Sequence, residues 1–251
     1  MWRNFSIKPT GSKPWLGIVL PVWVLAGFIF AQVLIGLLLA LLKLLGVKFD
    51  GLNASILDTT IAAVIYIITL LVVIGLPWLV KKYRTTSKEI GIDFSPRWIH
   101  LLIAPVGFVA YVFISYILTS LAMRTPFYET NSVQDIGFAN LSQGFEYILA
   151  FITLVIIAPV AEEILFRGYL LAKLRKHVPI WVAVLITSLL FAVVHLSFNV
   201  GVDVFALSLV LCFLRIKTGS LWPSIILHMI KNGIAFYFLF INPLLFPTLG
   251  G

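Results

Sequence analysis

Residues 147–176 read YILAFITLVIIAPVAEEILFRGYLLAKLRK. Tyr147 to Ala161 carry no charge, then Glu162, Glu163 and Arg167 follow within six positions. The helical pattern continues to a basic end at Lys173, Arg175 and Lys176. An apolar run needs roughly 20 residues to cross about 30 Å of hydrocarbon. This stretch is long enough, and it takes two carboxylates and a guanidinium with it.

The rest of the chain points to the same solvent. Of 251 residues, 61% are hydrophobic and 11% charged, against roughly 45–50% and about 25% in soluble domains. A soluble core of this size has no room for that much apolar surface, so most of the chain faces lipid. Eighteen Lys and Arg against ten acidic residues give +8. In a lipid-embedded chain this excess belongs to loops facing anionic lipid rather than to nucleic-acid binding. The single cysteine, Cys212, lies in an apolar run. It excludes an intrachain disulfide framework.

Seven apolar segments are predicted, at about 15–42, 56–80, 98–123, 147–176, 180–198, 204–214 and 221–246. The first is too long for a signal-peptide core, which spans about 7–15 residues, and reads as a retained helix. No repeat, soluble domain or strand alternation interrupts the pattern. Residues 1–251 therefore read as one integral membrane domain: an all-α, polytopic bundle of about seven transmembrane helices.

With the N-terminus inside, the inner loops hold thirteen Lys and Arg: Arg3, Lys8, Lys13, Lys81, Lys82, Arg84, Lys88, Arg97, Lys173, Arg175, Lys176, Arg215 and Lys217. The outer side holds three, Lys43, Lys48 and Arg124. The positive-inside rule then sets the orientation in a cell membrane, with the C-terminus outside after seven crossings. Asn199 and Asp203 read as caps at an outer turn before the sixth helix.

Ionisable residues inside apolar runs mark functional sites by default, because each is expensive in hydrocarbon. Glu163 and Arg167 are i and i+4 and can pair on one helix face. Glu162 points about 100° away and is left without that cation. Phe191 and His195 share a face of the next segment. Glu162 lies fourteen residues from Lys176 and His195 fifteen from Ile180, so both sit roughly 21–22 Å from the same connection. His228 and Asn232 are again i and i+4, but His228 lies only about 12 Å from Ser220. The offset disappears if the connection around Gly219 dips into the bundle, or if the inner membrane boundary lies deeper on the fourth helix. Lys231 points elsewhere, towards a carboxylate, a carbonyl or the interface.

Glu-Glu-x-x-x-Arg (162–167), Phe-x-x-x-His (191–195) and His-x-x-x-Asn (228–232), in that order on successive hydrophobic segments, resemble the CAAX prenyl protease and bacteriocin-processing family (CPBP, or Abi) of intramembrane peptidases. The resemblance covers about residues 145–240. It implies Glu162 as general base, His195 as its partner in activating a water, His228 and Asn232 as oxyanion stabilisers, and Glu163 and Arg167 as supporting residues. Such a set hydrolyses a peptide bond with no cofactor. The alternative is zinc held by Glu162, His195 and His228. The expected partners are a peptide or membrane-protein substrate and the bilayer. Nothing in the sequence sets the oligomeric state. Two other readings use the same residues: a non-catalytic immunity or scaffold protein of this fold, and a proton- or ion-coupled transporter component. No inverted repeat supports the latter.

The charge bias yields a first prediction. A reporter that works only in the cytoplasm is expected to be silent when fused to the C-terminus and active when fused to the N-terminus. The reverse pattern overturns the orientation.

Overall fold

The computed structural model describes residues 13–49, 51–80, 84–92, 95–129, 141 and 143–242. Arg3, Lys8, Lys81 and Lys82, and the expected segment end near Phe246, lie outside them. The described residues form helices and no strand. In chain order these are α1 (Leu16–Leu44), α2 (Ala54–Leu79), a single-turn α3 (Ser87–Ile90), α4 (Trp98–Ala122), α5 (Gly144–Leu174), α6 (Ile180–Val193), α7 (Phe198–Thr218) and α8 (Trp222–Ile241). Six are long and apolar enough to cross a membrane, so the chain is a multi-pass membrane protein with an all-helical bundle.

The fifth and sixth segments differ from expectation. Helix α6 has fourteen residues, about 21 Å at 1.5 Å per residue, less than a full crossing. The chain turns at Val194 and His195, passes Leu196 at φ 55° and enters α7 at Phe198. The sixth segment, expected to be short, runs 21 residues. Its polar residues broke the hydropathy run but are satisfied by neighbours. Asp203 Oδ1 accepts from Tyr111 Oη at 2.7 Å and from Ser115 Oγ at 2.6 Å. Arg215 donates to Gly219 O and Glu89 O. Neither Asn199 nor Asp203 caps α7: Asp203 sits inside the helix, and Asn199 bonds the backbone of Glu129. Ser197 occupies the cap position, with no side-chain cap bond.

Helices α5 and α7 form the centre. Leu165, Leu170 and Leu174 of α5 pack with Phe191 of α6 and Cys212 of α7. On the other side of α7, Leu207 and Leu211 pack with Ala104 of α4 and Leu227 of α8. The outer helices α1, α2 and α4 turn large apolar residues outward, among them Ile18, Leu37, Leu101 and Val109. Helices that are apolar all round have lipid as their solvent.

Pro77 and Pro159 each sit two residues past an i→i+5 turn, at 71–75 and 152–157. Proline supplies no N–H and crowds the carbonyl one turn back, and in a bilayer the freed carbonyl must find another donor. Before Pro77 that carbonyl is Val73 O, which accepts from Trp23 Nε1 at 3.1 Å, tying α1 to α2. Five residues before Pro159, in the i→i+5 turn, Leu154 O also accepts from another helix, and its donor comes from α8.

The segment between α2 and α4 plugs the basic end of the bundle. Thr86 and Glu89 form a reciprocal cap for α3, and Gly91 ends it at φ 90°. Leu221 N donates to Gly91 O at 2.9 Å. Gly168 of α5 lies against Ile90, where a Cβ would stand 2.7 Å from Ile90 Cγ2 and 3.5 Å from its carbonyl oxygen. Gly168→Val is therefore expected to push α3 off α5 and destabilise the protein by roughly 1–3 kcal/mol, the range for overpacking. Thermal unfolding in detergent measures it, and an unchanged midpoint would argue against this docking.

Candidate active site

Helix α5 brings Glu162 and Glu163 to the middle of the bundle at the start of a third i→i+5 turn, Ile164–Leu170, in which Leu165 through Leu170 are all buried. Such turns insert an extra residue into the helix and often occur at functional sites. Glu163 and Arg167 pair as their spacing predicted, Oε1 to Nη1 at 2.8 Å, with both side chains 0% exposed. The guanidinium also lies 4.3 Å from the centre of the Phe191 ring, a cation–π contact that partly replaces water.

His228 completes this group. Its Nδ1 is 2.9 Å from Glu163 Oε1, and the carboxylate accepts. Its Nε2 faces Glu162 Oε2 at 3.8 Å. The depth offset expected for His228 is therefore absent, and the plug explains why. Counted from the Gly168–Ile90 and Leu221–Gly91 contacts, Glu162 is six residues away along α5 and His228 seven along α8. These are about 9 and 10 Å at 1.5 Å per residue. The connection near Gly219 starts α8 deep inside the bundle rather than level with Lys176.

Glu162 has a partner that sequence reasoning missed. Tyr66 of α2 donates its hydroxyl to Glu162 Oε1 at 2.6 Å. A tyrosine in an apolar run carries no sign of which helix it will meet. Lys231 also acquires a partner: its Nζ lies 3.4 Å from Asp203 Oδ2 on α7.

His195 stands in the turn after α6, not within the helix. Its Nδ1 is 2.7 Å from Phe191 O. A carbonyl only accepts, so Nδ1 carries the proton and Nε2 of the neutral ring is left as an acceptor. Asn232 donates one amide N–H to Leu154 O at 2.9 Å, in the i→i+5 turn ahead of Pro159. Its second N–H remains available. Glu162, His195, His228, Lys231 and Asn232 line one cavity of about 260 Å³, with Tyr66 in its wall. Glu163 and Arg167 lie behind it. Among the described residues no three His, Cys, Asp or Glu side chains are arranged to hold a metal ion. Glu162, His195 and His228 share the cavity.

The helices that carry the three motifs coincide with a known family. Residues 144–234 match the Rce1-like family, type II CAAX prenyl endopeptidase Rce1-like. The family resemblance of the three motifs is thereby borne out over the segment that carries them. An "uncharacterized 24.3 kDa protein" of Escherichia coli is 30% identical over 136 residues, 49% of this chain and 58% of that protein. The match thus spans less than two thirds of that relative. No solved structure matches.

The buried Glu163–Arg167 pair gives a prediction. Glu163→Gln strands Arg167 and takes the anion from His228 Nδ1. Breaking a buried pair by removing one partner costs about 3–5 kcal/mol. The variant is expected to unfold well below wild type, or to accumulate poorly, while Tyr66→Phe retains the fold. Equal melting of Glu163→Gln and wild type in detergent removes the pair from the stability of the core.

Proposed function

We propose that this protein is an intramembrane endopeptidase, which hydrolyses a peptide bond in a membrane-associated peptide or protein of the cell membrane. The observation that carries this reading is the shared cavity, into which three separate segments bring Glu162, His195, His228 and Asn232.

Glu162 is the general base. Tyr66 occupies its Oε1, which leaves Oε2 to take a proton from water. His195 offers Nε2 as the second acceptor for that water. The resulting hydroxide attacks the peptide carbonyl carbon, and the carbonyl oxygen becomes an oxyanion. Asn232 supplies its remaining N–H. His228 has Nδ1 committed to Glu163, so the donor it offers the oxyanion is an Nε2–H, with both ring nitrogens protonated. Collapse of the tetrahedral intermediate breaks the C–N bond, and the proton held by Glu162 passes to the leaving amine. The step needs no cofactor and is routed through none. Glu163 and Arg167 act by holding His228.

The test uses purified protein in proteoliposomes with a peptide library read by mass spectrometry. Glu162→Gln is expected to abolish cleavage while inserting and melting like wild type, because the amide cannot accept the proton. His228→Ala is expected to slow turnover about 10²–10³-fold, as loss of an oxyanion donor does. Wild-type activity is expected to survive prolonged chelation. Cleavage by Glu162→Gln at the wild-type rate rejects the general base, and activity lost on chelation and restored by zinc rejects the metal-free step.

A further inference from the structure

A second cavity, of about 670 Å³, opens at the basic end of the bundle, between the start of α1, the end of α2 and the end of α5. Its wall has two parts of opposite character. Trp15, Trp23 and Tyr169, with Leu76 and Pro77, make an apolar, aromatic cleft. Lys13, Lys173, Lys176 and His177 make a cationic rim. Tryptophan beside lysine at a helix end is the composition of a membrane–water interface.

The rim carries excess charge. Lys173 and Lys176 both reach Glu89, and Lys13 has no ion pair among the described residues. The rim thus holds three ammonium groups, and one carboxylate pairs with two of them. Burial pushes the Glu89 carboxyl up, but the hydrogen bonds from Lys176 and the Thr86 N–H and the two lysine charges outweigh it and hold its pKa below the usual value. Glu89 therefore stays ionised and cancels one charge only. Burial lowers the pKa of His177, and the charges of Lys176, Lys13 and Lys173 lower it further. The three ammonium groups therefore converge on one neutral ring. The buried Nδ1 of His177 has no hydrogen-bond partner. A rim with surplus positive charge, above an aromatic cleft open between helices, matches one ligand chemistry. That is a phosphodiester with hydrocarbon chains attached.

We propose that this groove is a binding site for one anionic phospholipid. Its headgroup phosphate lies among Lys13, Lys176 and His177, and an acyl chain lies along Trp15 and Trp23. The site is separate from the Glu162 cavity and does not depend on peptidase activity. Tyr169 links the two, because it lines this groove and belongs to the same i→i+5 turn that follows Glu163.

The experiment is a binding titration on delipidated, detergent-purified full-length protein, followed by native mass spectrometry and by thermal unfolding. The probes are dioleoyl phosphatidylglycerol, dioleoyl phosphatidylcholine and inorganic phosphate. Phosphatidylglycerol is expected to bind at least about tenfold more tightly than phosphatidylcholine and to raise the unfolding midpoint, with no shift from phosphate alone. Lys13→Gln and Lys176→Gln are each expected to weaken phosphatidylglycerol binding about fivefold, the effect of one lysine at an anionic surface. Lys176→Gln also frees Glu89, so the exposed Lys13→Gln keeps the test independent of folding. Equal binding of the two lipids shows that only the apolar cleft acts and overturns the headgroup assignment. A phosphate shift that matches phosphatidylglycerol makes this a free-anion site and overturns the lipid. Unchanged affinity in Lys13→Gln places the lipid elsewhere.

Discussion

The Glu163 carboxylate accepts from Arg167 and His228 at a point where neither Glu163 nor Arg167 has any solvent. An anion there is tolerable only while both donors hold it, and the guanidinium is tolerable only beside that anion and the Phe191 ring. The triad therefore joins α5, α8 and the end of α6 in a single arrangement. It also makes the neighbouring residue on α5 useful. With Glu163 turned into the core, Glu162 faces the cavity with Tyr66 on one oxygen and His228 near the other.

The prolines make a second set of links. Each removes an N–H from a helix in lipid, and a carbonyl four or five residues back is met from another helix: Val73 O by Trp23, Leu154 O by Asn232. The second of these fixes the orientation of a candidate catalytic amide. A local defect in α5 thus serves a position on α8, because hydrocarbon offers no water to satisfy the carbonyl instead. The plug around Ile90 and Gly91 sets the third coordinate, the depth at which α8 begins.

The sequence by itself determined the membrane environment, the helical class and which polar residues matter, because these follow from the cost of charge in lipid and the 3.6-residue period. Glu163–Arg167 was legible as an i,i+4 pair, and three motifs on successive segments identified Glu162, His195, His228 and Asn232 as a group. What lay beyond sequence was everything that depends on where one helix meets another. Tyr66 and Asp203 are ordinary residues until Glu162 and Lys231 stand opposite them. The depth of His228 could not be counted from loop ends, because Leu221 starts α8 against a buried plug. The length of α7 was misjudged for the same reason, since hydropathy charges Asp203 and Arg215 for burial without seeing the donors and acceptors that tertiary contacts supply. Local sequence sets what each residue costs in lipid. Only the packed bundle decides which partners offset that cost.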